Sequence, residues 1–430
     1  MNIAIIGAGP TGLTAAYELM KGGHNITVFD KSPRHLGGLA SAIPIGSTYI
    51  DLLYHHIFTT DTELLNLINE LGLSSQMIWL EPKNGMYLNS TLYPFTNPID
   101  LILFPPVSFI GRVRMGLAVL RAKKIQDYHS MEGVTAKDWL IAKTGNDAYD
   151  KIWRALLYSK FDVDSENVSA VWIWNKFKLR GSTRSNINKE MLGYLKGGFY
   201  QAYKKIEEKL LAANCTMSYE QVKRIVPYAG GKVGVETKFG EMVFDKALFT
   251  GAPAELVNIC DFSTDYVKQA LATKYKANIC VTLFVKHKIS DYYWVTVAEH
   301  GAPFVLFIEH TNLVSDPAYD GKHIIYLSRY IDASDPFYEA SDEEIKETFL
   351  EYVSRMFTGF RRESIVDSYI TRSAYTQPVI GLNHSKEILP YETPVKNLYL
   401  ASMAQIYPED RGQNYSVVLG KRVSKIIAVD

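Results

Sequence analysis

The positions of this sequence best suited to binding chemistry carry no side chain. Gly7, Gly9 and Gly12 follow the apolar run Ile3-Ala4-Ile5-Ile6 and lead into an alanine-rich amphipathic stretch, Leu13 to Lys21. The expected order is strand, glycine turn, helix. In such a turn Gly7 permits the tight bend, Gly9 exposes bare backbone to a pyrophosphate, and Gly12 lets helix and strand pack closely. Pro10 and Thr11 then begin a helix whose N-terminus faces the anion. A second strand, Asn25 to Phe29, ends at Asp30 and Lys31, with Asp30 eighteen residues beyond Gly12. An acid at that distance accepts hydrogen bonds from two ribose hydroxyls. A glycine turn alone also arises for structural reasons; with strand, helix and acid in order, dinucleotide binding is the reading.

Arg34-His35-Leu36-Gly37-Gly38-Leu39-Ala40 places a second glycine pair just after the ribose acid. Here the sequence resembles the flavoprotein superfamily of amine oxidases, protoporphyrinogen oxidases, carotenoid desaturases and UDP-galactopyranose mutases. The resemblance implies FAD, with Gly37, Gly38 and Leu39 along its pyrophosphate and ribityl chain. Asp30 stands where many members have Glu, and still reaches a ribose. Leu39 stands where amine oxidases usually have Arg, which argues against a true amine oxidase. The C-terminus carries a second likeness: Asn397 to Ala401 reads as a strand, Tyr407-Pro408-Glu409-Asp410-Arg411-Gly412-Gln413-Asn414-Tyr415 as a loop, and Ser416 to Val429 as a helix. By resemblance Asp410, Arg411, Gly412, Asn414 and Tyr415 hold the ribityl chain and the flavin ring. Val222, on an expected strand Val222 to Ile225, gains a backbone contact to adenine. The loop contains no cysteine, so the FAD is expected to be non-covalent.

Tyr54-His55-His56-Ile57-Phe58 invites a metal reading, but adjacent histidines on a strand cannot face one ion. No metal site is expected. The segment resembles one beside the flavin ring in the mutases and protoporphyrinogen-oxidase-like proteins, which makes His56 a flavin-side, catalytic candidate; two half-buried histidines closing a strand is the plainer alternative. His310, beside Glu309 at an expected strand end, could form an acid/base pair or a solvated polar cluster. Tyr330 is the third catalytic candidate, among Tyr54, Tyr326, Tyr375 and Tyr407 at strand ends that could line a cavity.

The fold that positions these groups is read as α/β. A discontinuous, three-layer Rossmann-like FAD domain (1–75, 194–260 and 390–430) is interleaved with a substrate domain (76–193 and 261–389). The substrate domain combines a largely antiparallel, mixed sheet with a helical insertion around 98–180. Hairpin turns are expected at Asn89-Ser90 and Gly230-Gly231.

At 430 residues and 47% hydrophobic content the chain supports two or three full cores. Lys plus Arg and Asp plus Glu number 46 each, so no global field recruits nucleic acid. Cys215, Cys260 and Cys280 are scattered among apolar neighbours, the pattern of reduced core thiols. With the first strand beginning at residue 2 and no basic n-region, a cytoplasmic location is expected. The segment 101–124 joins Leu101-Ile102-Leu103-Phe104 to Arg112, Arg114, Arg121, Lys123 and Lys124, an apolar wedge with a basic rim suited to anionic lipid. Oligomeric state is not legible.

The sequence reading is an FAD-dependent oxidoreductase, resembling protoporphyrinogen oxidase and amine oxidase, that takes hydride from a C–C or C–N bond of a small molecule onto flavin N5. One alternative is a mutase resembling UDP-galactopyranose mutase and using reduced FAD, with Arg154, Arg180 and Arg184 and either Trp172 or Trp174 for a diphosphate and uracil. The other is a flavin-binding protein without catalysis.

Overall fold

The computed structural model describes residues 1–31, 33, 36–182 and 190–429; Arg34, His35 and Arg184 lie outside the described residues. Five parallel strands form the first sheet, in the order Thr216–Ser218, Asn25–Phe29, Asn2–Ile6, Lys246–Phe249, Leu398–Leu400. Parallel strands covered on both faces read as continuous apolar runs, and Ile3, Ala4 and Ile5 are fully buried. Helices Pro10–Lys21, Tyr200–Ala212 and Gln413–Val429 pack together beside this sheet. Their closeness depends on glycine: a Cβ on Gly420 would stand 2.6 Å from the Thr11 carbonyl oxygen, and one on Gly12 would stand 2.0 Å from that of Gly7.

A three-stranded antiparallel sheet, Arg224–Pro227, Val233–Thr237 and Gly240–Phe244, covers part of the parallel sheet through Val222, Ile225, Val233 and Val235. The strand expected over Val222 to Ile225 begins at Arg224, and Val222 precedes it with its side chain buried. The Gly230-Gly231 turn forms as read.

The largest sheet has seven strands, antiparallel except where Trp294–Val297 runs parallel to Asn84–Leu88. Its long neighbouring strands Tyr275–Val285 and His323–Ile331 alternate in what each face touches. Ile325, Leu327 and Ile331 pack with Ile345 and Phe349 of helix Asp342–Met356. The opposite face presents Tyr326, Ser328 and Tyr330. The outer strand, Ile365–Pro378, carries extra residues against Tyr275–Val285, since Lys276 pairs with Gln377 but Asn278 with Ser373. That irregularity re-aims Gln377, as bulges do beside sites.

The helical region includes Pro98–Ile102, Phe109–Ala122, Ala136–Thr144 and Ala170–Ser182. Ser108 caps the second of these by accepting from the Gly111 N–H, and Asn97 and Asp100 cap the first reciprocally. Between Asn146–Ala148 and Arg154–Phe161 the helix widens to a π turn over Tyr149–Trp153, which resets the face presented by the residues after it, Lys160 among them. All three cysteines are buried free thiols.

Candidate functional site

Two glycine turns meet at the parallel sheet's carboxyl edge. Gly7 has φ +111°, Gly37 +89° and Gly38 +56°, conformations that only glycine adopts without strain. The Gly37 N–H donates to the Ala8 carbonyl at 2.8 Å, tying the turns together, and a Cβ on Gly38 would come within 3.3 Å of the Gly9 Cα. A Cβ on Gly9, by contrast, would meet nothing within 4 Å. Helix Pro10–Lys21 begins at Gly9 with Pro10 in its first turn and without a side-chain cap, so its N-terminal N–H groups face that open space. Asp30 does more than the sequence suggests: its Oδ2 accepts from the Ala8 N–H at 2.8 Å, bracing the turn from the end of the second strand. Lys31 is exposed, Thr11 is buried, and Leu39 is half-buried in the short turn Gly38–Ala40.

This arrangement fits FAD. The uncapped helix start, the side-chain-free opening at Gly9 and the glycine pair beside it form a backbone cradle for a pyrophosphate. Buried polar atoms without a protein partner, Ser41 Oγ and Gln413 Nε2, lie on the segments that flank the cradle. Asn414 accepts from the Leu64 N–H at 3.0 Å, Tyr415 is half-buried, and Gly412 is exposed with room for a side chain.

A second, charged group of residues gathers where the large sheet, the helical region and the C-terminal loop converge. Arg411 donates from Nη2 to the Tyr330 hydroxyl at 2.8 Å and from Nε to Gln377 Oε1 at 2.9 Å. Tyr330 in turn lies 3.2 Å from the Tyr54 hydroxyl, which lies 3.0 Å from Ser328 Oγ; Asn278 Nδ2 donates to that same Ser328 oxygen at 2.8 Å. Lys160 sits over the Tyr330 ring, 4.0 Å from its centroid. Asp410 is ion-paired with Lys176 and also accepts from Trp172 Nε1 at 3.3 Å and Gln377 Nε2 at 3.4 Å.

The electrostatics follow from burial and these neighbours. Burial alone would raise the Tyr330 hydroxyl, but Lys160 and Arg411 outweigh it and bring the group down to about 8. Burial likewise opposes ionisation of Asp410, and Lys176, Lys160 and Arg411 together hold its carboxyl well below the usual range. Burial, with Arg411 and Lys176 nearby, lowers Lys160. His55 is pushed down to about 3 by burial and then by Arg411 and His56; it is neutral, and its Nδ1 has no protein partner.

His56 lies apart from this charged group, its Nδ1 3.0 Å from the Tyr293 hydroxyl and its ring edge-on to Phe58 and Trp294. His310 departs from its expected setting. It is buried rather than at a solvated strand end, its Nε2 faces the Tyr319 hydroxyl at 3.3 Å, and burial lowers it to about 4. Glu309 turns the other way, accepting from the Ile289 and Ser290 N–H groups and lying 3.5 Å from His323, so the His310–Glu309 pair does not form. Of the five tyrosines, Tyr54 and Tyr330 meet, while Tyr326 donates to the Asp51 carbonyl, Tyr375 packs on Tyr275, and Tyr407 donates to Glu132. Arg154 pairs with Asp150 at 2.6 Å on an exposed helix face, away from the charged group. Trp174 is buried, donating to the Ala122 carbonyl, whereas Trp172 reaches Asp410.

Lys160, Lys176 and Gln377 were not singled out in the sequence. No local spacing marks them, because they come from two helices and a bulged strand.

A parallel sheet with a glycine-lined anion cradle, joined to a mixed sheet and a helical region, is the fold of the FAD-dependent oxidoreductases. The family model described as flavin containing amine oxidoreductase matches residues 10–409, and the chain belongs to that family. A zeta-carotene desaturase of Synechocystis sp. is 21% identical over 274 residues, 55% of this chain and 55% of its own. The chain spans about half the length of the curated relatives it matches. Among solved structures, an oxidoreductase of Methanosarcina mazei superposes with TM-score 0.77 at 16% identity, covering 99% of this chain and all of that one. Reduced UDP-galactopyranose mutase superposes with TM-score 0.76 at 16% identity, covering 99% and 93%. These likenesses show a common fold, and the family's fold implies FAD binding.

Proposed function

We propose that the chain binds one FAD non-covalently and oxidises a small molecule by taking hydride from a C–C or C–N bond. The observation that carries this is the side-chain-free opening at Gly9, walled by the second glycine pair and faced by an uncapped helix start. FAD bound there supplies hydride acceptance at N5. Gly7, Gly9, Pro10, Thr11 and Gly12 hold the pyrophosphate. Asp30, with Lys31 beside it, meets the adenosine ribose while bracing Ala8, and Val222 lies near the adenine. Gly37, Gly38 and Leu39 line the ribityl chain, and Asp410, Arg411, Gly412, Asn414 and Tyr415 lie along the flavin. The discontinuous FAD domain takes in 1–75, 194–260 and 390–430, consistent with the sources of the five parallel strands. His56 and Tyr330 act on the substrate side. His56 is restrained by Tyr293, and Tyr330 is poised to give or accept a proton at its hydroxyl because Lys160 and Arg411 stabilise the phenolate. His310, locked among Tyr194, Tyr319 and Tyr326, serves packing.

The test is anaerobic. Holoenzyme is mixed with amines, porphyrinogens and polyenes, and flavin bleaching near 450 nm is followed; the reduced protein is then given UDP-galactose and UDP-galactofuranose. Bleaching by one substrate class supports the oxidoreductase. Sugar interconversion confined to the reduced state makes the chain a mutase, and a bound flavin that no candidate perturbs makes it a non-catalytic binder.

We further infer contact with anionic lipid through 101–124, on a chain located in the cytoplasm. Ile110 is 71% exposed, and Ile102, Leu103, Phe109 and Leu120 are also exposed beside Arg112 and Arg121, an apolar stripe with a basic rim. Among the described residues no helix is long and apolar enough to cross a membrane. Failure to co-sediment with anionic liposomes at low salt removes this inference.

A further inference from the structure

The charged group around Tyr330 does not balance. Three cations, Lys160, Lys176 and Arg411, surround one carboxylate, that of Asp410. Lys176, Trp172 and Gln377 already engage that carboxylate. Among the described residues no carboxylate lies within ion-pair distance of Lys160; the ammonium rests on the π face of Tyr330. Arg411 commits Nε and Nη2 to Gln377 and Tyr330, leaving Nη1 without a protein partner among the described residues. An arrangement with surplus, partly buried positive charge is costly when empty and favourable once an anion enters.

We propose that this cluster receives an anionic group of the substrate, a carboxylate or a phosphate, held by Lys160 and Arg411, which both meet Tyr330. The converse is equally specific: an alkylammonium, the group the family's description suggests, is repelled. The Nη1 of the planar guanidinium remains to donate to an oxygen of a carboxylate or phosphate, while the lysine contributes a compact point charge. The helical region thus supplies binding residues as well as cover, since Lys160 lies at the end of the helix reset by the π turn and Lys176 on Ala170–Ser182. Tyr330 links this anion site to Tyr54 and Ser328 on the large sheet, so an anchored anion fixes the rest of the substrate relative to both halves of the molecule.

The proposal rests on the flavoprotein reading, which lays Asp410 and Arg411 along the flavin and supplies the spectroscopic readout. The probes are benzoate and benzylamine, which match in size and ring and differ in the sign of their charge. Each is titrated into FAD-loaded enzyme at pH 7 while the flavin spectrum is followed. Benzoate is expected to perturb the spectrum saturably, at least tenfold more tightly than benzylamine. Lys160→Met is expected to weaken benzoate about tenfold or more, in keeping with loss of a charge-assisted contact, and Lys160→Arg to restore most of it. Equal or tighter binding of benzylamine overturns the proposal, as does the absence of any response to benzoate. Unchanged benzoate affinity in a folded, FAD-replete Lys160→Met enzyme also overturns it. If that variant does not retain FAD, the benzoate and benzylamine comparison on the unaltered enzyme decides. A chain that takes up no FAD at all instead defeats the flavoprotein reading and is recognised before any probe is added.

Discussion

The glycine cradle and the charged group around Tyr330 achieve selectivity by opposite means. The cradle consists of backbone, with positive φ at Gly7, Gly37 and Gly38 and empty space beyond Gly9. Its discrimination is steric, and apart from Asp30, which braces Ala8, it offers little that titrates. The second region is nearly all side chain, drawn from the segment that carries Tyr54, two helices, three strands of the large sheet and the C-terminal loop. Its discrimination is electrostatic and depends on how the protonation states of Tyr330, Lys160 and Asp410 sustain one another. A cofactor that is always the same molecule suits a rigid steric mould. A substrate that must enter, react and leave suits a field that its own charge completes.

The sharpest way to separate the two regions is Gly9→Asp. Its Cβ enters open space, so folding is expected to be preserved, but a carboxylate there occupies the pyrophosphate position and repels it. The variant should purify without flavin while keeping the wild-type circular dichroism spectrum. Stoichiometric flavin in it would dissolve the distinction.

A smaller effect is expected from Gly420→Ala, which tests whether the mould depends on close helix packing. The new methyl would meet the Thr11 backbone oxygen at 2.6 Å, an atom that cannot rotate away. Overpacking of this kind costs about 2 kcal/mol, to be read from urea unfolding, with partial loss of FAD affinity. An unaltered midpoint would mean that the two helices have slack.

The smallest signal comes from the charged region. Because the Tyr330 hydroxyl lies at about 8 in the folded protein and near 10 when unfolded, the native state gives up this proton first. Its contribution to stability is therefore present above about pH 10 and is lost as pH falls through about 8. One tyrosinate step with a midpoint near pH 8 is expected in ultraviolet difference spectra, and Lys160→Met should move it upward. FAD retention should stay flat across the same range. A step unchanged in Lys160→Met would show that the lysine does not set the local field.

The cradle was legible because its physics is local. A strand, three glycines, a helix start and an acid occupy thirty consecutive residues, and each is diagnostic by type and spacing. The second region was half legible. Arg411 and Tyr330 were reached, one through likeness to a flavin loop and the other as a strand-end tyrosine. Lys160 and Lys176 look like solvated helix lysines, and only the π turn and the helix packing turn them inward. Gln377 owes its position to extra residues in a strand whose partner lies a hundred residues earlier in the chain. His310 misled for the complementary reason: a polar run, Glu309-His310-Thr311-Asn312, resembles a solvated turn, but its first two residues are buried and satisfied by Ser290, Ile289 and Tyr319. The strand over Ile365–Pro378 is not legible in the sequence, since its exposed and buried residues do not alternate cleanly.

The most direct measurement is the visible spectrum of the purified protein after incubation with FAD and removal of excess, followed by heat or acid release of the chromophore. The account predicts one FAD per chain, bleached by dithionite under anaerobic conditions and released intact into the supernatant. A chain that retains no flavin after reconstitution would contradict it at its base, and flavin that stays with the precipitated protein would contradict the non-covalent mode of binding.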